Sequence, residues 1–395
     1  MASKLQDLIN RLCPNGVEYR RLGEIATDVF RGGGILRNQV TETGVPCVRY
    51  GEIYTTYGIW FDECVSHTKL EYIQSPKYFE HGDILFAITG ESVEEIAKST
   101  AYTGHERCLA GGDIVVLKHK QNPKYLAYAL STSGAQEQKS KGKVKSKVVH
   151  SSVPAIKDIL IPVPPLEVQS EIVQILDNFA ELTAELTAEL TAELEKRKKQ
   201  YEHYRRALLC GVESSGWPMV KLGDVCEIGT GSSNTDEQLD EGLYPFFVRS
   251  QEVRWKNEYE FDEASVITSG DGVGVGKIYH YVEGKYALHQ RAYRIHPTDT
   301  RLTARFLFYY MKTGFLAYIN KSAFQSSVTS IRKPMLLNFP IPLPPLAEQR
   351  RIVSILDRFD RLCNDLTSGL PAEIAARKKQ YAYYRDKLLE LRVGS

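Results

Sequence analysis

Residues 179–200 read FAELTAELTAELTAELEKRKKQ and contain three tandem copies of the tetrapeptide TAEL at 183–194. Alanine, glutamate and leucine are strong helix formers, and threonine is only mildly unfavourable. Neither proline nor glycine occurs within 167–209, whereas Pro164 and Pro165 precede this segment and Gly211 follows it. These signals predict a helix of about 40 residues, roughly 60 Å long. Such a helix is too long to be buried in one domain, so it must separate two parts of the chain.

An apolar stripe runs along the predicted helix. Its members, here called the spacer stripe, are Leu182, Leu186, Leu190 and Leu194. A spacing of four residues rotates the stripe by about 40° per repeat, because a helix has 3.6 residues per turn. The stripe needs a partner surface. A second segment offers suitable apolar residues at Ile352, Ile355, Leu356, Phe359 and Leu362.

Charge favours an antiparallel arrangement of the two segments. That arrangement places Glu181 and Glu185 near the basic run at 377–379. It also places Arg197 and Lys198 near Asp357 and Asp360. The second segment is interrupted at 369–371 by the sequence GLP, where Ser368 could cap a restarted helix. Proline and glycine disfavour a helix interior, so we expect a break there.

Two blocks of the sequence occur twice, at a constant offset of 180 residues. IPVPPLEVQSEIVQILDNF (161–179) returns as IPLPPLAEQRRIVSILDRF (341–359) with 12 of 19 positions identical. RKKQYEHYRRALL (197–209) returns as RKKQYAYYRDKLL (377–389) with nine of 13 identical. LGEI at 22–25 resembles LGDV at 222–225, although the segments that follow diverge strongly. Similar helices beside dissimilar globular parts indicate two heads with different ligands on one scaffold, while a duplication without functional meaning is the plainer alternative.

Each TAEL tetrapeptide also extends the predicted helix by a fixed step. It adds about 6 Å and about 40° to a helix, and one base pair of B-DNA adds roughly 3.4 Å and 34–36°. The match in rotation suggests that the repeat number sets the gap between two DNA half-sites. Replication slippage tolerated in a surface coiled coil explains the repeat equally well on these residues alone.

The IPxPPL blocks, the RKKQYxxYRxxLL endings, the LGEI and LGDV openings and the TAEL run together resemble the DNA-specificity subunit of type I restriction–modification systems. The likeness covers essentially the whole chain, and the TAEL run resembles the subgroup whose spacer helix carries tandem TAEL units. In that subgroup the repeat number sets the spacing of a bipartite site, which favours the spacing interpretation over slippage.

The resemblance implies an α+β fold with two globular mixed α/β target-recognition domains. Two long antiparallel coiled-coil helices would separate them, with an internal pseudo-two-fold repeat. The expected domains are recognition domain 1 at 1–165, the central spacer helix at 166–212, recognition domain 2 at 213–345 and the C-terminal spacer helix at 346–395.

The resemblance also implies a non-catalytic subunit. Two modification subunits would supply S-adenosylmethionine-dependent adenine methylation, and restriction subunits would supply ATP-driven translocation and Mg-dependent cleavage, with no cofactor on this chain. The sequence motifs are also those expected of a non-catalytic subunit. The stretch SGDGVGVGKIYHY (269–281) resembles a phosphate loop, but Asp271 and Ile278 break the pattern. That stretch is better read as a glycine-rich turn before a strand. No NPPY, DPPY or HExxH motif occurs, and no metal-ligand spacing is present.

Composition excludes several classes of protein. The net charge is +1, so a nucleic-acid surface must be a local patch. The seven cysteines are scattered singly, which suggests neither a zinc site nor a disulfide framework. The chain starts with MASKLQDLINRL, which has no signal-peptide core, and no apolar run approaches membrane-spanning length. A cytoplasmic location is expected.

Cationic density is greatest in the last third of each globular part. QKSKGKVKSKVVH (138–150) has a lysine at every second position from 139 to 147, so the lysines would share one face of a strand or cluster in a loop. Arginine suits guanine and glutamine suits adenine in the major groove, and lysine suits phosphates. The candidate DNA-binding residues are Arg31, Arg49, Lys139, Lys141, Lys143, Lys145, Lys147, His150, Arg249, Gln251, Arg254, Lys277, Gln290, Arg291, Lys321, Gln325, Ser327, Arg332 and Lys333.

Three functions remain to be distinguished. The first is a sequence-specific DNA-binding subunit, the second is a coiled-coil adaptor with two protein-binding heads, and the third is an enzyme with duplicated domains. Binding to a duplex with two fixed base clusters and an unread gap separates the first from the second. A methylation assay on the isolated chain separates the first from the third.

Overall fold

Runs of β-branched and aromatic residues form sheets in both halves of the chain, and a long helix lies between them in sequence. The structure, a computed structural model, describes residues 2–141, 148–214, 216–322 and 330–391. It divides into one unit of Met1–Ala188 with Ala375–Ser395 and a second unit of Glu189–Ile374. Each unit contains sheets and helices, so the predicted mixed α/β character is confirmed.

The described residues of the first unit form these helices before the long one: α1 (Ala2–Leu12), α2 (Leu22–Ile25), α3 (Tyr50–Thr55), α4 (Pro123–Leu130), α5 (Ser133–Ser140) and α6 (Val153–Lys157). Its strands are β1 (Tyr19–Arg21), β2 (Ala26–Arg31), β3 (Val40–Thr41), β4 (Val45–Val48), β5 (Trp60–Phe61), β6 (Ser66–Thr68), β7 (Tyr78–Phe79), β8 (Ile84–Ala87), β9 (Thr89–Gly90), β10 (Ser99–Tyr102), β11 (Cys108–Ala110), β12 (Ile114–His119), β13 (Val149–His150) and β14 (Leu160–Pro162).

These strands form two five-stranded sheets, ordered β2-β12-β8-β10-β5 and β3-β6-β4-β11-β7, and the short pairs β1-β14 and β13-β9. Successive side chains of a strand point to opposite faces. Accordingly, Val115 and Leu117 of β12 lie in one apolar core, while Ile114 and Val116 lie in another. The strand is buried on both faces, which explains its continuous apolar sequence.

The long helix α7 (Leu166–Ser214) follows, with 49 residues. The later strands are β15 (Met219–Lys221), β16 (Cys226–Thr230), β17 (Tyr244–Phe247), β18 (Arg254–Lys256), β19 (Phe261–Ser269), β20 (Tyr279–Leu288), β21 (Ala292–Pro297) and β22 (Pro340–Pro342). The later helices are α8 (Leu222–Val225), α9 (Ala304–Ser322), α10 (Lys333–Leu337), α11 (Leu346–Asn364) and α12 (Leu370–Leu389).

In the second unit, strands form a six-stranded sheet, β16-β21-β19-β20-β17-β18, and the pair β15-β22. Helix α9 packs against β19 and β20 and also against α11. Phe306 and Met311 of α9 share an apolar core with Tyr201 of α7 and with Ile352 and Leu356 of α11. Strand β20 begins directly after the glycine-rich stretch, so the prediction of a turn before a strand is correct.

A buried polar contact, here called the scaffold anchor, attaches the globular part of the first unit to α7. Gln169 is fully buried. Its Oε1 accepts the backbone N–H of Asn122 (3.0 Å), and its Nε2 donates to the Pro164 carbonyl (2.7 Å). The Tyr128 hydroxyl donates to Asp177 (2.8 Å). Leaving such a buried group unpaired costs about 1–3 kcal/mol, so the contact fixes the register between helix and domain.

The same scaffold anchor recurs in the second unit. Gln349 of α11 is fully buried. Its Oε1 accepts the backbone N–H of Thr303 (2.9 Å), and its Nε2 donates to the Pro344 carbonyl (2.9 Å). The Tyr309 hydroxyl donates to Asp357 (2.6 Å). The repeated Q and D of the two IPxPPL blocks thus have the same structural role in each unit.

The predicted interruption of the C-terminal segment is present, since α11 ends at Asn364 and α12 begins at Leu370. The reason differs in part from the prediction. The Ser368 hydroxyl does not cap the new helix but donates to the Asp365 carboxylate (2.5 Å), as does the Thr367 hydroxyl (2.6 Å). A Cβ on Gly369 would lie 2.6 Å from the Arg361 carbonyl oxygen, so the turn requires glycine.

Arg197 and Lys198 form their ion pairs within α7. Arg197 pairs with Glu193 (2.6 Å) and Lys198 with Glu195 (3.1 Å), both on the same helix. Asp357 pairs with Arg305 (2.8 Å). Residues three or four apart on a helix are already neighbours, so these local pairs need less ordering than pairs between helices.

The structure contradicts the prediction that Lys139 contacts phosphate. The lysine run was expected to form a strand or loop, but α5 extends to Ser140 and turns this side chain inward. Lys139 is 5% exposed. Its Nζ donates to the Leu130 carbonyl (2.7 Å) and to the Ser99 hydroxyl (3.2 Å). Burial lowers the pKa of Lys139 to about 7.

We predict that Lys139→Met stabilises the protein at pH 7 by about 1 kcal/mol, raising the melting temperature by roughly 2–4 °C. In the wild type, the unfolded lysine binds a proton more readily than the folded one between pH 7 and 10.5. Stability from this group therefore rises with pH across that window. Thermal unfolding at pH 7.0 and 9.5 should show this rise in the wild type and a smaller one in the variant. Exposed Lys141→Met serves as the control, and an equal pH dependence in all three proteins would contradict the prediction.

Candidate nucleic-acid interface

Three strand ends of the second unit meet at one carboxylate. Arg249 follows β17, Asp271 follows β19 and Arg291 precedes β21, and these strands belong to one sheet. The Arg249 guanidinium lies 2.7 Å from Asp271 Oδ1, and that of Arg291 lies 3.5 Å from Oδ2. One carboxylate cannot neutralise two guanidinium groups, so the cluster keeps positive charge while both arginines are held in place. Both side chains remain accessible to a ligand.

The glycine-rich turn places further candidates beside this cluster. The Gly270 N–H donates to the Arg291 carbonyl (2.9 Å), and the Ile331 N–H donates to the Gly270 carbonyl (2.7 Å). Arg332 and Lys333 directly follow Ile331 and are exposed. Val273, at the tip of the turn, is 97% exposed. The turn, with Gly272 at φ +82°, brings an apolar tip and several cations to one edge of the sheet.

Gln290 lies next to the cluster but is partly engaged. Its amide donates to the Asn234 side chain, and its backbone N–H donates to the Ser233 carbonyl (2.9 Å). The neighbouring His289 is buried, and burial, followed by the charges of Arg249 and Arg291, lowers its pKa. A neutral imidazole there adds no positive charge to the surface.

The remaining DNA-binding candidates of the second unit lie in other environments. Arg254 pairs with Glu252 (3.0 Å) and Asp240 (3.6 Å), which neutralise it. The side chains of Gln251, Lys277 and Lys321 are exposed. Gln325 and Ser327 lie outside the described residues.

In the first unit, Arg31 and Arg49 line one cleft of about 560 Å³ together with Asp113. Arg31 lies 2.5 Å from the Asp113 carboxylate. Arg49 Nε lies 3.3 Å from Glu52 Oε1, and buried Glu52 also accepts the Ser66 hydroxyl (2.6 Å). A carboxylate therefore orients an arginine in each unit, and arginine is the residue type that suits guanine and phosphate.

The cleft contains two residues that the sequence analysis missed. Arg37 and Tyr50 also line it. Two features of the sequence point to these residues. A glycine triplet at 32–34 lies shortly before Arg37, and Tyr50 directly follows the candidate Arg49. Neither signal stands out without the fold, because the cleft joins segments distant in sequence.

The lysine-rich segment is only partly described. Lys141 is exposed at the end of α5, whereas Lys139 is buried away from the surface. His150 on β13 is exposed, and its Nδ1 lies 3.2 Å from the Thr89 hydroxyl. Lys143, Lys145 and Lys147 lie outside the described residues.

Within the described parts of the chain, no three His, Cys, Asp or Glu side chains cluster as metal ligands would. Among those same residues, no helix combines the length and apolar character needed to cross a membrane.

Two solved structures have similar folds over nearly the whole chain. One, described as the structural basis of complex assembly and conformational transition of the type I restriction–modification system, has a TM-score of 0.63 at 21% identity and covers 95% of this chain and 98% of that one. The other, the HsdS subunit from Thermoanaerobacter tengcongensis, has a TM-score of 0.57 at 20% identity, covering 95% and 96%.

Proteins with similar sequences also belong to type I restriction–modification systems. A putative type I restriction enzyme specificity subunit of Haemophilus influenzae is 33% identical over 63% of this chain and 67% of its own length. The EcoR124I/EcoR124II specificity subunit of Escherichia coli is 35% identical over 59% of this chain and 63% of its own length. The type I restriction modification DNA specificity domain matches residues 14–196 and again 214–376. The chain therefore belongs to the type I restriction–modification specificity family and is a DNA sequence-recognition subunit, not an enzyme.

Proposed function

We propose that each globular domain reads one half of a bipartite asymmetric DNA site, and that the helical scaffold sets the unread gap. Recognition domain 1 spans 1–165 and recognition domain 2 spans 213–345, with spacer helices at 166–212 and 346–395. One observation carries the proposal. The scaffold anchor is the same in both units, whereas the arginine clusters differ in their residues and partners.

The proposal includes two antiparallel spacer helices related by a pseudo-two-fold repeat. Contacts within each unit support it. In the first unit, residues 175–182 border residues 387–391, while residues 179–186 border residues 377–384. In the second unit, Tyr201 and Tyr204 stack with Phe359 at centroid distances of 6.2 and 5.5 Å. In the first unit, residue numbers therefore rise along 175–186 in the direction in which they fall along 391–377, as an antiparallel pair requires.

We further propose membership of the TAEL subgroup, in which the repeat acts as the spacer. The spacer stripe changes environment along its length, because Leu182 is 61% exposed and Leu194 is 9% exposed. A rotation of about 40° per tetrapeptide explains this drift. The exposed members make few packing demands, so their number can change without disrupting either core.

The proposed partners are double-stranded DNA, two modification subunits and restriction subunits. S-adenosylmethionine, ATP and Mg would act in those partners, with no cofactor on this chain, in the cytoplasm. The family match does not favour the alternative of an adaptor with two protein-binding heads.

Removing one tetrapeptide, residues 183–186, should shorten the gap by about one base pair, because one TAEL rotates the helix by about 40°. Both half-sites should remain. The measurement is genome-wide mapping of methylated adenines with the modification subunit present. Thr187→Ala, which keeps the length, is the control. Altered half-sites with an unchanged gap would rule out the spacer role.

Exchanging residues 1–160 for another first recognition domain should change one half-site and leave the second intact, since the scaffold anchor of the second unit is untouched. The same methylation map reads the result. If both half-sites changed, the domains would not read independently.

Arg249→Ala and Arg291→Ala should each weaken specific binding by about 10–100-fold, equivalent to about 1–3 kcal/mol for one base contact. Selectivity should relax in one half-site only. Arg301→Ala is a matched control, because that exposed arginine pairs with Asp299 (2.7 Å) away from the cluster. Binding of the assembled complex at fixed salt to specific and scrambled duplexes provides the measurement. An equal loss on both duplexes would assign these arginines to phosphate instead of bases.

A further inference from the structure

The two corresponding scaffold segments differ strongly in charge. Residues 166–184 contain four acidic residues and no basic one, whereas α11 contains three acidic residues and four arginines. The residues that pack are retained, since Ile172 and Leu176 in the first unit and Ile352 and Leu356 in the second are all fully buried. The three arginines at 350, 358 and 361 are exposed, so this part of the difference is not required by packing, whereas Glu171 is buried and pairs with Lys4 (2.5 Å).

Three arginines of α11 border one cleft. Arg350, Arg358 and Arg361 line a cavity of about 450 Å³ beside Thr303 and Ser354, here called the arginine cleft. Their spacing of eight and three residues keeps them on one side of the helix. All three are exposed.

The charge of the arginine cleft is not neutralised within the unit. Asp357 borders the cleft, but its carboxylate is bound by Arg305 (2.8 Å) and by the Tyr309 hydroxyl (2.6 Å). Glu348 is bound by Arg351 (2.7 Å). Across the part of the chain that the structure describes, no carboxylate forms an ion pair with the three cleft arginines.

The first unit provides an internal comparison. At the offset of 180 residues that relates the repeated blocks, the three arginines correspond to Ser170, Asn178 and Glu181. The scaffold anchor is intact there without any arginine at these positions. Packing therefore does not account for the three arginines, and their charge is available to a ligand.

The ligand must be anionic, because guanidinium groups bind carboxylates and phosphates as bidentate donors. Position favours a protein over DNA. The cleft lies at the Thr303 end of α9, while the glycine-rich turn contacts Leu316 and Ile319 near the other end of that 19-residue helix. A helix of this length spans roughly 27 Å. Helix α9 also lies between the sheet and α11.

We propose that the arginine cleft binds an acidic segment of a partner subunit. The inference rests on the proposed docking of two identical modification subunits. Each copy would present the same acidic segment, but only the copy on the second unit would meet the three arginines. The two copies therefore bind with unequal affinity, and the stronger attachment is more sensitive to salt.

The test titrates the full chain with purified modification subunit and counts bound copies by native mass spectrometry at low and high salt. The wild type should bind in two steps whose dissociation constants differ by about tenfold or more at low salt and converge at high salt, as three exposed ion pairs would produce. Arg350→Ser with Arg358→Asn and Arg361→Glu, which installs the residues of the first unit, should weaken the stronger step to match the other. Arg351→Ser, which removes a paired arginine of the same helix, should leave both steps unchanged.

Three outcomes overturn the inference: two unchanged steps in the triple variant, equal steps in the wild type, or a triple variant that loses affinity for duplex DNA while both steps persist. Melting curves confirm that the triple variant is folded. Methylation mapping of the wild-type complex separates this test from the proposed function. A bipartite map with equal binding steps contradicts only the arginine cleft, whereas a map without two half-sites contradicts the proposed function.

Discussion

Each unit depends on a buried glutamine whose side-chain amide is paired on both of its polar atoms. Gln169 and Gln349 bind a proline carbonyl before their own helix and a backbone N–H at the start of a domain helix. Sliding the helix by one residue would leave a buried amide unpaired, at a cost of about 1–3 kcal/mol. The globular part of each unit is therefore held on its helix in one register. The proposed reading of DNA at a fixed spacing would depend on this, because a domain that slipped along its helix would change its distance from the other half-site.

Most of the scaffold could be predicted from the sequence because its signals are local. Absence of proline and glycine predicts the long helix, and the GLP interruption predicts the break before Leu370. Contacts between distant segments could not be predicted. Arg197 and Lys198 pair with acidic neighbours on their own helix, which charge matching between the two helices does not reveal. The anchor residues were visible as repeated letters, but their partners at Asn122 and Thr303 required the fold.

The candidate DNA interface was predicted by residue type more than by arrangement. Arg249 and Arg291 were identified, yet Asp271, which joins them, was noticed only as a break in a phosphate-loop pattern. The error at Lys139 has a clear physical cause. Alternating lysines look like one face of a strand, but helical periodicity turns one of them inward, where two neutral oxygens bind its ammonium group. Periodicity near an element boundary is therefore weak evidence for exposure.

The interruption between α11 and α12 has a consequence for how the scaffold tolerates insertions. Helix α7 is continuous, so each added tetrapeptide lengthens and rotates it by a fixed amount. The turn at 365–369 keeps two backbone bonds of helical spacing, from the Asp365 N–H to the Arg361 carbonyl (3.1 Å) and from the Gly369 N–H to the Asp365 carbonyl (3.0 Å), and adds hydroxyl contacts to Asp365. Helix formation is cooperative along an unbroken segment, so the break makes α11 and α12 two separate cooperative segments. Under the proposed spacer role, a change in the number of tetrapeptides would act along the whole of α7, whereas the C-terminal segment would respond at its break.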